Sequence, residues 1–131
     1  MIELAIVLSI LTLFAPVVYG AVRGWEEQHD LATWHLRSAG ELADIAEELR
    51  LDARLGEPVA GDVAFSRADC VARYVVRERT LVREGCGATR GIARDVEAVA
   101  WARGGVEVAL ARRLRPDREV RVVTLIPTES P

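Results

Sequence analysis

The sequence predicts an α+β protein in which one long N-terminal helix, transmembrane at first and then amphipathic, packs on a small antiparallel β-sheet. Three observations support this. The 19 residues from Leu4 to Val22 carry no charge. Apolar residues then recur at helical spacings of three and four. Beyond residue 56, runs of strand-forming residues alternate with turn sequences. The expected segments are a transmembrane helix over 1–24, its amphipathic continuation over 25–55, an antiparallel β domain over 56–126 and a flexible tail over 127–131.

The first segment has the length of a bilayer span. At about 1.5 Å per residue its uncharged run covers roughly 28 Å, close to the ~30 Å hydrocarbon core. A cleavable signal peptide fits poorly, because the run is long, the acidic Glu3 precedes it in place of a basic segment, and no small-residue cleavage site follows it. We therefore expect one membrane crossing. Arg23 after the span favours a cytoplasmic C-terminal part by the positive-inside rule, although Glu26 and Glu27 dilute this signal.

The helix is expected to continue beyond the membrane, since no proline interrupts residues 25–54. Charged residues occupy most of its surface, and one apolar stripe remains for packing. The stripe consists of Leu31, Trp34, Leu42, Ile45 and Leu49.

The two cysteines distinguish a helix from a hairpin over residues 66–87. A single helix would separate Cys70 and Cys86 by about 24 Å along its axis, far beyond the roughly 7 Å that a disulfide can bridge between Cα atoms. A β-hairpin that turns at Arg77-Glu78-Arg79 brings them together. The expected pairs are Val76 with Thr80, Tyr74 with Val82, and Cys70 with Cys86.

A Cys70–Cys86 disulfide would place the domain in an oxidising compartment. The alternative is two buried, reduced thiols. The turn contains neither Gly nor Asn, so a shift of the register by one residue also stays open.

The rest of the domain is expected to add antiparallel strands. VEAVAWA (residues 96–102) and EVRVVTLI (119–126) have strand-like composition, and Arg115-Pro116-Asp117-Arg118 is a turn sequence. Residues 106–114 are ambiguous, because Val106, Leu110 and Leu114 also fit one face of a helix.

Three stretches resemble a known family. IELAIVLSIL (residues 2–11) is similar to the start of type IV pilins and type II secretion pseudopilins, in which a basic leader ending in Gly precedes F-T-[LM]-I-E-L and a hydrophobic helix. IAEELRLDARLG and VARYVVRERTLVREG resemble the helix end and the first hairpin of minor J-type pseudopilins and related minor pilins. Met1 stands where the motif has Leu or Met. We expect it to be an internal methionine, with the leader encoded upstream.

The resemblance implies a pilin-like fold and a structural subunit of a type II secretion or type IV pilus assembly system. The implied partners are other pilin or pseudopilin subunits and the inner-membrane assembly platform. The implied location is the cytoplasmic (inner) membrane, crossed once, with a periplasmic or extracellular domain. Glu3 would pair with the N-terminal amine of a neighbouring subunit. Alternatively, Glu3 lies at the lipid headgroups as a terminal polar residue.

No catalytic motif accompanies these features. The sequence has no P-loop, GxSxG, HExxH or CxxC pattern, and two cysteines are too few for a zinc site. His29 and His35 fall on different helix faces, and the 17 arginines are interleaved with 20 acidic residues. We expect no enzyme activity, cofactor, metal, small-molecule substrate or nucleic-acid partner.

The hairpin arginines are expected to form a solvated rim, or a partner-binding edge; they are Arg73, Arg77, Arg79 and Arg83. The alternative function is a single-pass accessory subunit of another membrane complex, with a non-catalytic domain. A phage-type lysis protein is disfavoured by the β-rich C-terminal half.

Overall fold

A computed structural model describes residues 2–128 of the chain. One helix, α1 (Ile2–Leu55), is followed only by strands within the described residues. The α+β class is therefore confirmed, and α1 ends at the residue where the amphipathic segment was predicted to end. The chain divides into two compact units, Met1–Leu36 and Arg37–Pro131, and the division falls inside α1.

Up to residue 128, the second unit contains eight strands in two antiparallel sheets. The first sheet has the order β1-β2-β3-β4-β5 and the second the order β6-β7-β8. The antiparallel pairing predicted from the sequence is confirmed, and the strands form two sheets where the sequence predicted one. The strands are β1 (Glu57–Pro58), β2 (Ala64–Ser66), β3 (Val71–Arg77), β4 (Thr80–Glu84), β5 (Arg90–Ala93), β6 (Val96–Ala102), β7 (Gly105–Arg115) and β8 (Arg118–Pro127).

The core of this unit lies between the C-terminal turns of α1 and the sheets. Ile45 and Leu49 of the helix are fully buried. The sheets contribute Phe65, Tyr74, Leu81, Val106, Val108 and Leu110, all almost without solvent contact. The two aromatic rings meet edge to face, with centroids 6.3 Å apart. Residues 106–114, which could have been helical, form most of β7, because β6 and β8 pair with that segment on both sides.

The hairpin between β3 and β4 forms as predicted but with its register shifted by one residue. Tyr74 lies opposite Arg83 and not opposite Val82. The cause is a two-residue turn, Glu78-Arg79, in place of the expected three-residue turn, with φ of 49° and 61°. Such turns match the twist of the flanking strands, and this preference outweighs the usual need for Gly or Asn at positive φ.

Cys70 and Cys86 form a disulfide, with Cα atoms 5.2 Å apart. With the shifted register the two residues are not directly opposed, and the chain reaches the bond by leaving the ladder after Glu84. Gly85 makes this possible: its φ is +95°, and a Cβ there would lie 1.9 Å from the carbonyl oxygen of Val71. Glycine is thus the residue that permits this approach.

Candidate functional site

The first part of α1 presents apolar side chains on all sides. The large ones are exposed between 79% at Ile2 and 48% at Val22. The helix is long and apolar enough to cross a membrane, and its most apolar window has no buried residue. The two aliphatic hydroxyls of this stretch that bond to the backbone do so locally: Ser9 donates to the carbonyl of Ala5 at 2.7 Å and Thr12 to that of Ser9 at 2.9 Å. Hydroxyls bonded in this way cost little in lipid.

Glu3 lies in the first turn of α1 and is exposed. A carboxylate at this position interacts favourably with the positive end of the helix dipole. The described residues supply no ion pair to it. Its pairing with a neighbouring subunit stays a prediction.

The predicted packing stripe divides by burial. Trp34, Ile45 and Leu49 are buried, whereas Leu31 and Leu42 are half-buried. Only Leu42, Ile45 and Leu49 belong to the unit that contains the sheets.

The stripe ends in a buried carboxylate. Asp52 lies three residues after Leu49 and is 1% exposed. Arg83 binds it with two hydrogen bonds, Nε to Oδ2 at 2.8 Å and Nη2 to Oδ1 at 2.9 Å. The Tyr74 hydroxyl donates to Oδ2, and Nη2 of Arg67 donates to Oδ1. Four donor atoms from three residues thus converge on one carboxylate, and we call Asp52 together with Arg67, Tyr74 and Arg83 the Asp52 cluster.

The protonation states in the cluster follow from these contacts. Burial alone would raise the pKa of Asp52, but the hydrogen bonds from Arg83, Tyr74 and Arg67 outweigh it and lower the pKa below its usual 3.8. Burial and the neighbouring carboxylate raise the pKa of Tyr74. The hydrogen bond to Asp52 raises the pKa of Arg83. At neutral pH the cluster therefore holds an ionised Asp52, a neutral Tyr74 and a charged Arg83.

Three separate elements position the donors. Tyr74 and Arg83 share one face of the first sheet because the shifted register makes them direct partners. With the predicted register Arg83 would lie opposite Arg73, on the other face. Arg67 precedes β3, where its backbone N–H donates to the carbonyl of Cys70 at 2.8 Å, next to the disulfide.

The cluster extends to a second turn of the helix. Glu48, one turn before Asp52, pairs with Arg90 of β5 and lies 4.0 Å from Nε of Arg83. The arrangement acts as a clamp. Donors on the first sheet occupy both oxygens of Asp52, and these hydrogen bonds tie the last turns of α1 to that sheet.

One sequence prediction is corrected here. Arg83 was expected on a solvated rim, but its side chain is only 13% exposed. Arg73, Arg77 and Arg79 are each at least half-exposed, as a rim requires. The missed signal was Asp52 itself, since an acidic residue in register with an apolar stripe needs a buried partner.

Over residues 2–128 the protein thus combines one helix that could span a membrane with an α+β domain in which the Asp52 cluster ties the helix end to the first sheet. No model of a known protein family matches the chain, and neither a curated protein nor a solved structure is significantly similar to it.

Proposed function

We propose that this chain is a structural, non-enzymatic subunit of a membrane-embedded assembly, of the minor pilin or pseudopilin type. It would serve a type II secretion or type IV pilus assembly system. One observation carries the proposal: a glutamate occupies the first turn of α1, directly before 19 uncharged residues whose large apolar side chains are exposed.

The carboxylate of Glu3 lies at one end of the proposed membrane span. A carboxylate is expensive in hydrocarbon unless it is paired. A neighbouring subunit that supplies a cation, such as an N-terminal amine, would remove this cost, and packing of the helices would bury their apolar surfaces. The proposed partners are therefore other pilin or pseudopilin subunits and the inner-membrane platform that assembles them.

Glu3→Ala is expected to abolish co-assembly and leave membrane insertion intact, because it removes the charge that selects a neighbour. The measurement is cross-linking in membranes of the native host, followed by purification through a C-terminal tag and identification of cross-linked partners. Glu3→Gln, which keeps the size but not the charge, should behave like Glu3→Ala.

Glu26→Ala is the matched control, since Glu26 is an exposed glutamate of the same helix that follows the uncharged run. It should assemble normally. Unchanged cross-linking of Glu3→Ala to pilin-type partners would contradict the role of Glu3. Cross-linking of the wild type only to unrelated membrane proteins would instead favour an accessory subunit of another complex.

The proposed location is the cytoplasmic membrane, with the β domain on its periplasmic or extracellular side. The Cys70–Cys86 disulfide supports this side, because disulfides persist in oxidising compartments. By the positive-inside rule Arg23 favours the cytoplasmic side, but a single arginine is a weak signal.

Cys70 and Cys86 are expected to react with a maleimide only when the intact spheroplasts have first been exposed to a membrane-impermeant reductant. Both residues are half-buried, so labelling is measured on the unfolded protein after quenched exposure to the reductant. Labelling that requires lysis but no reductant would place the domain in the cytoplasm.

A further inference from the structure

The last strand leaves one edge of the second sheet open. Among the described residues β8 pairs with β7 alone. At 10 residues β8 is long, since strands commonly have about five or six. The register shift of the hairpin lies near its tip, between Arg113 and Arg115 of β7, so β8 runs regularly from residue 119 onwards. An edge of this kind presents a row of backbone donors and acceptors that can pair with another chain.

The second half of β8 adds apolar side chains to this edge. Residues 122–126 read VVTLI and carry no charge. Val122, Thr124 and Ile126 lie opposite the buried Leu110, Val108 and Val106 of β7. Val123 and Leu125 alternate with them on the opposite face and are 54% and 47% exposed. The edge therefore offers two neighbouring apolar contacts on its outer face.

The first half of β8 belongs to a positively charged ribbon. β6 pairs with β7 only as far as Leu110, so beyond that point β7 and β8 continue as a two-stranded arm. Residues 112–121 of this arm contain two carboxylates, Asp117 and Glu119, and five arginines: Arg112, Arg113, Arg115, Arg118 and Arg121. Arg121 pairs with Glu97 at 2.9 Å, and without that pair the arm retains an excess of two positive charges.

We propose that the open edge of β8 binds an extended segment of a partner protein, which adds as an antiparallel strand. Apolar residues of that segment would contact Val123 and Leu125, and its carboxylates would lie beside the arginine-rich arm. Since antiparallel pairing reverses the direction, the carboxylates belong to the C-terminal half of the segment. This inference names a surface and a partner chemistry, and it stands independently of Glu3.

A protein segment fits better than other anionic partners, because three features of the paired strands β7 and β8 match three features of an extended polypeptide. The backbone edge matches its main chain, Val123 and Leu125 match its alternate side chains, and the arginines match its carboxylates. An anionic bilayer or a nucleic acid would use the arginines only.

The test uses the full chain in nonionic detergent micelles and a fluorescent ten-residue peptide. The peptide alternates valine and threonine in its first half, and glutamate and threonine in its second. We expect saturable binding, slower amide exchange over residues 122–126, and weaker binding as salt rises. A peptide of the reversed sequence is expected to bind at least about tenfold more weakly, because its carboxylates would lie beside the apolar half of β8.

Two sets of variants separate the contribution of the apolar contacts from that of the arginines. Val123→Lys with Leu125→Lys should abolish binding, and both positions are exposed, so the fold should tolerate the change. Replacing Arg112, Arg113, Arg115 and Arg118 by Gln should weaken binding about tenfold, since exposed ion pairs each contribute little. Arg50→Gln with Arg103→Gln is the control, as both residues are exposed arginines outside the arm.

Several outcomes would overturn the proposal. The first is an absence of peptide binding, and the second is binding that leaves the amide hydrogen exchange of β8 unchanged. The third is equal or stronger binding of the reversed peptide. Arginine-dependent binding to phosphatidylglycerol nanodiscs without peptide binding would reassign the arm to a lipid surface.

Discussion

Asp52→Asn is expected to lower the free energy of unfolding by about 3–5 kcal/mol, the usual cost of breaking a buried ion pair from one side. The amide keeps the shape of the side chain but removes its charge, so Arg83 and Arg67 lose their counterion in a largely buried setting. Urea unfolding of the full chain in micelles, followed by circular dichroism, measures the effect.

Two variants calibrate this loss. Asp44→Asn changes an exposed acidic residue on the same helix and should alter stability by no more than about 0.5 kcal/mol. Tyr74→Phe removes one of the donors to Asp52 and should cost about 1–2 kcal/mol. A loss for Asp52→Asn no greater than that for Asp44→Asn would contradict the clamp.

The pH dependence gives the same variant a second readout. The pKa of Asp52 is lower in the folded chain than in the unfolded chain. Its stabilising contribution is therefore fully present above the unfolded pKa, about 3.9, and is lost as the pH falls through the lower folded value. In the Asp52→Asn variant, the free energy of unfolding should therefore fall less steeply as the pH is lowered through this range.

The predictable parts of this fold are those with local signals. The helix follows from its uncharged run and its three- and four-residue periodicity, and β6 from a single strand-forming stretch. The short strands β1, β2 and β5 have two to four residues each. They have no pattern of their own, and they form only because neighbouring strands pair with them.

The hairpin register shows why the cluster was not predicted. Hydrophobic alternation and the cysteine spacing both favour a hairpin, but the register depends on the turn, and Glu78-Arg79 has no sequence signal for positive φ. That one-residue shift decides whether Arg83 faces Asp52. The donors lie 15, 22 and 31 residues from Asp52 in sequence, so only the position of Asp52 on the apolar stripe was visible beforehand.

Removal of the disulfide by Cys70→Ser with Cys86→Ser is expected to cost about 3 kcal/mol, because the bond closes a loop of about 15 residues in the unfolded chain. The separation in this protein is 16 residues. Reduced wild-type protein should match the double variant, which shows that the effect comes from the bond and not from the serines.

The disulfide and the Asp52 cluster should also be coupled. Arg67 reaches Asp52 from a turn that is held by its own N–H and the carbonyl of Cys70. When the bond is absent this turn is less constrained, and Arg67 contributes less to the cluster. Asp52→Asn should then cost less in the double-serine background than in the wild type, by about 0.5–1 kcal/mol. A double-mutant cycle from urea unfolding measures this difference. Strict additivity would show that the cluster holds Arg67 without help from the disulfide, and the clamp would then be independent of the redox state of the domain.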